Sequence, residues 1–116
     1  LKTLTSINIA SNRITKIPQF AFHEDTQIYS LNININQVTR LDRNSFGSLA
    51  SLQYFHAQYN QIKEIERTVI TDSALTTANF YGNTCIGINK SPFSRYSDIG
   101  MFESCFQLYD SRIVCE

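Results

Sequence analysis

Apolar residues recur along this chain at a spacing that neither a single helix nor a lone strand explains. Leu4, Ile28 and Leu52 stand 24 residues apart, and so do Ile7, Leu31 and Phe55, then Ile9, Ile33 and Ala57, then Asn12, Asn36 and Asn60. The register continues through Ile14, Val38 and Ile62, through Ile17, Leu41 and Ile65, and through Phe22, Phe46 and Ile70. A fourth copy follows at a period of 23, with Leu75, Ala78, Phe80, Asn83 and Cys85 in the matching places. Inside each copy apolar and polar residues alternate, as in Leu31-Asn32-Ile33-Asn34, which predicts a short strand with one covered face. Such a strand cannot stand alone. Each copy leaves its apolar edge open until a neighbour stacks on it, so the period predicts a solenoid whose core is buried one coil at a time.

The asparagines divide into two kinds. Asn12, Asn36, Asn60 and Asn83 fall where each coil turns out of its strand, and backbone groups there lose their partners while still covered. Leaving such groups unpaired costs roughly 1 to 3 kcal/mol each. An amide side chain offers two donors and an acceptor, so these four are expected to form a structural ladder inside the coils. Asn32 and Asn34 instead point outward under the two-residue alternation of a strand. Phe22 and Phe46, followed by Ile70, are expected to stack as a hydrophobic spine on the convex side.

Written out, the copies follow L-x-x-L-x-L-x-x-N-x-L-x-x-L with a later Phe, over roughly residues 1–88, and in this the chain resembles the leucine-rich repeat family. The 24-residue length and the Phe22/Phe46 column resemble its extracellular, animal-type class. The resemblance implies an α/β fold: a solenoid with a parallel concave β-sheet, mostly irregular convex returns and a short helical C-terminal cap. It divides the chain into about four coils over residues 1–84 and a cap over residues 85–116. Leu1 already falls in register with Leu49, so the N-terminal cap of secreted members is expected to be missing.

Beyond residue 84 the register is lost. Ser97 as N-cap, Asp98 in the first turn, and Ile99, Phe102, Cys105 and Phe106 at helical spacing predict a short capping helix, with Gly100 weakening its regularity. The three cysteines, Cys85, Cys105 and Cys115, allow three pairings. A bridge from Cys85 to Cys105 would fasten the helix across the open end of the solenoid, a contribution of about 3 kcal/mol by chain-entropy arithmetic. It would leave Cys115 unpaired, paired beyond this chain, or bridging two copies. The run N-x-C-I at Asn83, followed by an acidic-led helix and a second cysteine, resembles the C-terminal caps of secreted insect leucine-rich repeat proteins, including mosquito-type immune proteins. It departs from the vertebrate N-P-x-x-C-x-C cap. A bridge implies an oxidising, extracellular setting. Asn89-Lys90-Ser91 is a glycosylation sequon expected in an open loop of the cap, followed by Pro92.

The outward positions of the coils define the candidate binding surface. They are Ser6, Asn8, Ala10 and Ser11; Ser30, Asn32, Asn34 and Ile35; Tyr54, His56, Gln58 and Tyr59; and Thr77, Asn79 and Tyr81. None carries a fixed charge, and amides with tyrosines give adaptable hydrogen bonding and stiff contact area suited to a protein partner. Asn32, Asn34, Tyr54, His56, Gln58, Tyr59, Asn79 and Tyr81 are the candidate partner-binding residues, with Tyr54, His56, Tyr59 and Tyr81 the densest aromatic patch. His23 is placed on a surface return.

Composition narrows the partner further. Ten basic and ten acidic residues cancel, so nothing draws the chain toward nucleic acid or anionic lipid over long range. No apolar run reaches the roughly 20 residues needed for direct membrane insertion. There is no G-x-S-x-G, phosphate-cradling glycine loop or H-E-x-x-H, and the cysteines lack the C-x-x-C spacing that would join His56 in a metal site. The expectation is therefore no enzyme, no cofactor and no metal. What the resemblance then implies is a secreted recognition module for a protein ligand or co-receptor, in insect-type innate immunity. The alternatives are a slice of a membrane receptor ectodomain or a structural matrix module, and a dimer could form through Cys115 or the uncapped first coil.

Overall fold

The structure, a computed structural model, describes residues 5–18, 21, 27–46, 49–94 and 96–114, without the side chains of 111–114. Leu1, Leu4, Phe22, His23 and Cys115 lie outside the described residues, so the heads of two columns and the pairing of Cys115 lie there too. In chain order the elements are β1 (Ser6–Asn8), β2 (Ser30–Asn32), β3 (Arg40–Leu41), β4 (Tyr54–His56), β5 (Glu64–Ile65), α1 (Arg67–Thr71), β6 (Thr77–Asn79), β7 (Asn89–Lys90) and α2 (Glu103–Val114).

Three-residue strands persist here because they pair side by side. β1, β2, β4 and β6 form one parallel sheet in which Ser6 lies opposite Ser30, Ser30 opposite Tyr54, and Tyr54 opposite Thr77. These partners are offset by 24, 24 and 23 residues, the spacing of the sequence columns. Leu31, Phe55 and Ala78 point into the core from successive strands, followed by Ile33, Ala57 and Phe80, all buried. Full burial of one such Phe or Leu contributes roughly 1.5 to 3 kcal/mol. In the first coil Ile7, Ile9 and Ile14 are only partly covered.

The ladder asparagines hold the bends. The Asn36 Nδ2 donates to the carbonyls of Ile33 at 2.9 Å and Ile9 at 3.1 Å, while its Oδ1 accepts the Ile14 N–H at 3.0 Å. Asn60 repeats this with Ala57, Ile33 and Val38, and Asn83 with Phe80, Ala57 and Ile62. Each amide thus ties its own coil to the preceding one. Asn12 donates to Ile9 and Ala10 of its own coil. The residue before each ladder asparagine sits in the left-handed region: Ser11 at φ 60°, Ile35 at 55°, Tyr59 at 58° and Gly82 at 77°.

The convex returns are more regular than the sequence suggests. β3 and β5 pair in parallel, a 3-10 turn spans Arg43–Ser45, and α1 occupies the third return. Phe46 and Ile70 are buried, and the aromatic contacts run inward, from Phe46 to Phe55 (6.5 Å), to Phe80 (5.1 Å), to Phe102 (5.1 Å). Phe93 and Phe106 complete this plug against Phe102.

At the C-terminal end Cys85 is bonded to Cys105, which anchors α2 to the last coil. Two expectations about this region need correction. Ser97 does not cap the helix. Ser94 Oγ accepts the N–H groups of Tyr96 and Ser97, and Asp98 Oδ2 accepts the Ser94 N–H at 2.9 Å, so the chain stays in a tight loop through Asp98. Asp98 is then the boundary residue of a 3-10 turn, Ile99–Phe102, that contains Gly100, and the α-helix proper runs from Glu103 to Val114. Second, Asn89 is not in an open loop: β7 adds to β6 in antiparallel sense, with Asn79 opposite Asn89, and covers an edge the parallel strands would otherwise leave exposed.

A polar latch joins α2 to the return side. The Tyr109 hydroxyl donates to Asp42 Oδ1 at 2.8 Å and shares Glu66 Oε1 at 3.0 Å. Arg40 lies over the Tyr109 ring at 4.2 Å and pairs with Asp42 and the buried Glu64. Glu66 also accepts the Arg43 backbone N–H at 2.7 Å. Arg67 covers Phe106 and reaches Glu103.

Candidate functional site

The outward face of the sheet has a polar floor between two aromatic lips. Where the strands begin, Tyr29 and Tyr54 meet edge to face at 6.2 Å. Where they end, Tyr59 and Tyr81 do the same at 5.8 Å. Tyr54 and Tyr59 are five residues apart, so the lips are separated by about 16 Å at strand rise. Such edge-to-face pairs are a preferred aromatic geometry.

The floor between them is built from columns. The first holds Asn8, Asn32, His56 and Asn79. Asn32 Oδ1 accepts the Asn34 N–H at 3.1 Å and Asn79 Oδ1 the Tyr81 N–H at 3.4 Å, as Asn8 does for Ala10. These amides steady the exit from each strand and keep their own N–H groups for other partners. His56, in the same column, is half-buried. The second column holds Ala10, Asn34, Gln58 and Tyr81. Asn34 Oδ1 and Gln58 Oε1 are both buried and have no hydrogen-bond donor among the described residues.

The left-handed positions shape the rim. Ile35 and Tyr59 are 50 and 55% exposed, and Tyr81, just before the left-handed Gly82, is 54% exposed, so the turn presents large side chains to solvent rather than to the core. A Cβ on Gly82 would lie 2.8 Å from Tyr59 Cδ1, so the Tyr59 ring rests directly on backbone. Beside it opens a depression of about 430 Å³ lined by Gln58, Tyr59, Asn79, Tyr81 and Asn89.

All eight candidate residues therefore lie on this face, and four of them meet in the depression. Asn32, Asn34, Tyr54 and His56 stand outside its lining. Sequence reasoning missed three contributors. Tyr29 precedes the outward strand column, Asn89 comes from β7, and Gly82 acts by what it lacks. The signal for Tyr29 was available, since it is the only aromatic in the column Thr5, Tyr29, Gln53 and Thr76.

Among the described residues, a cluster of charges lies on the return side. There burial raises the Tyr109 pKa, and the hydrogen bonds to Asp42 and Glu66 raise it further. Burial alone would lower that of Arg40, but its hydrogen bond to Asp42 and the neighbouring negative groups more than reverse this. Among the described residues no group of three or more His, Cys, Asp or Glu side chains is placed to hold a metal ion.

The family model described as leucine rich repeat matches residues 2–62, just over half of the chain. No curated protein matches.

Proposed function

Because the chain belongs to the leucine-rich repeat family, whose domains generally mediate protein–protein contact, we propose that it is a non-enzymatic recognition module that binds a protein partner on the concave face. The observation that carries this reading is the pair of tyrosine lips around an uncharged amide floor. Tyrosines immobilised in edge-to-face pairs give large contact area at small entropic cost, the composition of an interface anchor. We read the module as extracellular, because the Cys85–Cys105 bond belongs to an oxidising compartment. Its 24-residue repeats and single-bridge cap support placement among animal-type repeats, and a role in insect-type innate immunity. Among the described residues no helix is long and apolar enough to cross a membrane.

The test is capture of partners from native extracellular fluid by the wild type and by the double variant Tyr54→Ala/Tyr59→Ala. Removing one anchor from each lip should weaken the captured complex at least tenfold, since interface tyrosines often contribute about 2 kcal/mol or more each. Undiminished capture would move the binding surface off the concave face.

A further inference from the structure

We propose that the depression beside Tyr59 is a subsite for one neutral pyranose ring, carried as a glycan by the protein partner. This rests on the concave face being the binding surface. A cavity of about 430 Å³ falls in the size range of small-ligand sites. Its lining selects the chemistry. Gln58, Asn79 and Asn89 supply amides, each both donor and acceptor, and Tyr59 and Tyr81 supply rings and hydroxyls. None of the five carries a charge, so neither phosphate, carboxylate nor ammonium finds a counter-charge there. A pyranose matches on both counts: one C–H face for a phenol ring, and hydroxyls that donate and accept around its edge.

Gln58 Oε1 sharpens the choice. It is buried at the depression and lacks a donor among the described residues. A buried acceptor of this kind is costly until a donor arrives, and a turn of the Gln58 amide toward the depression would bring it to a sugar hydroxyl. A purely apolar ligand would leave it unpaired and would also desolvate Asn79 and Asn89. The wall of the subsite depends on Gly82, whose missing Cβ lets Tyr59 lie against the backbone.

The experiment is a titration of ¹⁵N-labelled protein with methyl β-D-glucopyranoside, methyl α-D-mannopyranoside, methyl β-D-galactopyranoside and N-acetyl-D-glucosamine, with sodium glucuronate as the charged control. At least one neutral sugar should saturate in the range of about 1 to 10 mM. The side-chain amide signals of Gln58, Asn79 and Asn89 should move most, and glucuronate should bind about tenfold more weakly or not at all. Tyr81→Ala and Gln58→Leu, each checked for a dispersed spectrum, should weaken the sugar about tenfold, while Met101→Ala on the cap keeps wild-type affinity. The inference is overturned by an absence of shifts with all four neutral sugars up to about 50 mM, by glucuronate binding equally well, or by shifts indifferent to both variants. The underlying reading fails separately: capture that ignores Tyr54→Ala/Tyr59→Ala defeats the concave face as a protein surface, whereas sensitive capture with no sugar binding defeats only the pyranose subsite.

Discussion

At the scale of single residues, the turn before each ladder asparagine shows how one backbone demand is met by four different side chains. Ser11, Ile35, Tyr59 and Gly82 share a left-handed conformation, which costs an ordinary L-residue roughly 1 to 2 kcal/mol and suits glycine or asparagine better. The hydrophobic columns carry no information about φ, so this column was silent in the sequence; only the fourth copy places a glycine there. Ile35 is β-branched and half-exposed, so little burial offsets its strain. Ile35→Asn is expected to stabilise the fold by about 1 kcal/mol, and Gly82→Ala to destabilise it by about 2, since the latter adds both strain and a collision with Tyr59. Urea unfolding midpoints of the two variants check the opposite signs. If both substitutions destabilised equally, side-chain packing rather than backbone conformation would govern the column.

At the scale of elements, the long-period columns made β1, β2, β4 and β6 legible down to their register, because each strand must place the same two residues inward in every coil. The short elements were hidden for the converse reason. β3, β5 and β7 are two residues each, too short for any alternation to register. Glu64 in β5 reads as a surface residue, and its partner Arg40, 24 positions earlier, helps it to be buried. The cap helix was visible through Phe102, Cys105 and Phe106, yet its start was misplaced because Ser94, outside the expected helix, organises the loop. Its most consequential contact, Tyr109 with Asp42 and Glu66, links positions 67 and 43 residues apart, a separation no local pattern reports. Burial and the two carboxylates hold the phenol proton more tightly in the folded chain than in the unfolded one. The native state therefore binds more protons once the pH passes the ordinary tyrosine value of about 10, and stability must fall as the pH rises beyond it. Tyr109→Phe is expected to cost about 1 to 3 kcal/mol near neutral pH by removing the hydroxyl donor from two part-buried carboxylates, which keep Arg40 and the Arg43 N–H. The variant should also lose less stability than the wild type between about pH 9 and 11. Urea melts of both proteins at the two ends of that window measure the difference; parallel decline would mean that the latch does not carry the alkaline sensitivity.

At the scale of the whole molecule, the fold separates charge from recognition. Ten positive and ten negative side chains cancel, and among the described residues Arg40, Asp42, Arg43, Glu64, Glu66 and Asp72 interlock on the return side, while the floor and lips of the concave face are amide, imidazole and phenol. That division follows from the period itself, because a residue's place in the repeat decides which side of the coil it faces. The location of the candidate face could thus be read from the columns. Its depression could not, since that is made by β7 and by the Cβ that Gly82 lacks. An uncharged contact surface has a measurable consequence for association. Raising the ionic strength from about 0.05 to 0.5 M shortens the screening length from roughly 14 to 4 Å and removes most long-range attraction. A partner docked on the concave face should then change its affinity by less than about threefold, and its association rate by a similarly small factor. Binding by a purified partner followed at the two salt concentrations decides the matter. An affinity that fell by more than about tenfold would assign the contact to the ionic return side instead, and would detach the tyrosine lips from the recognition they are proposed to perform.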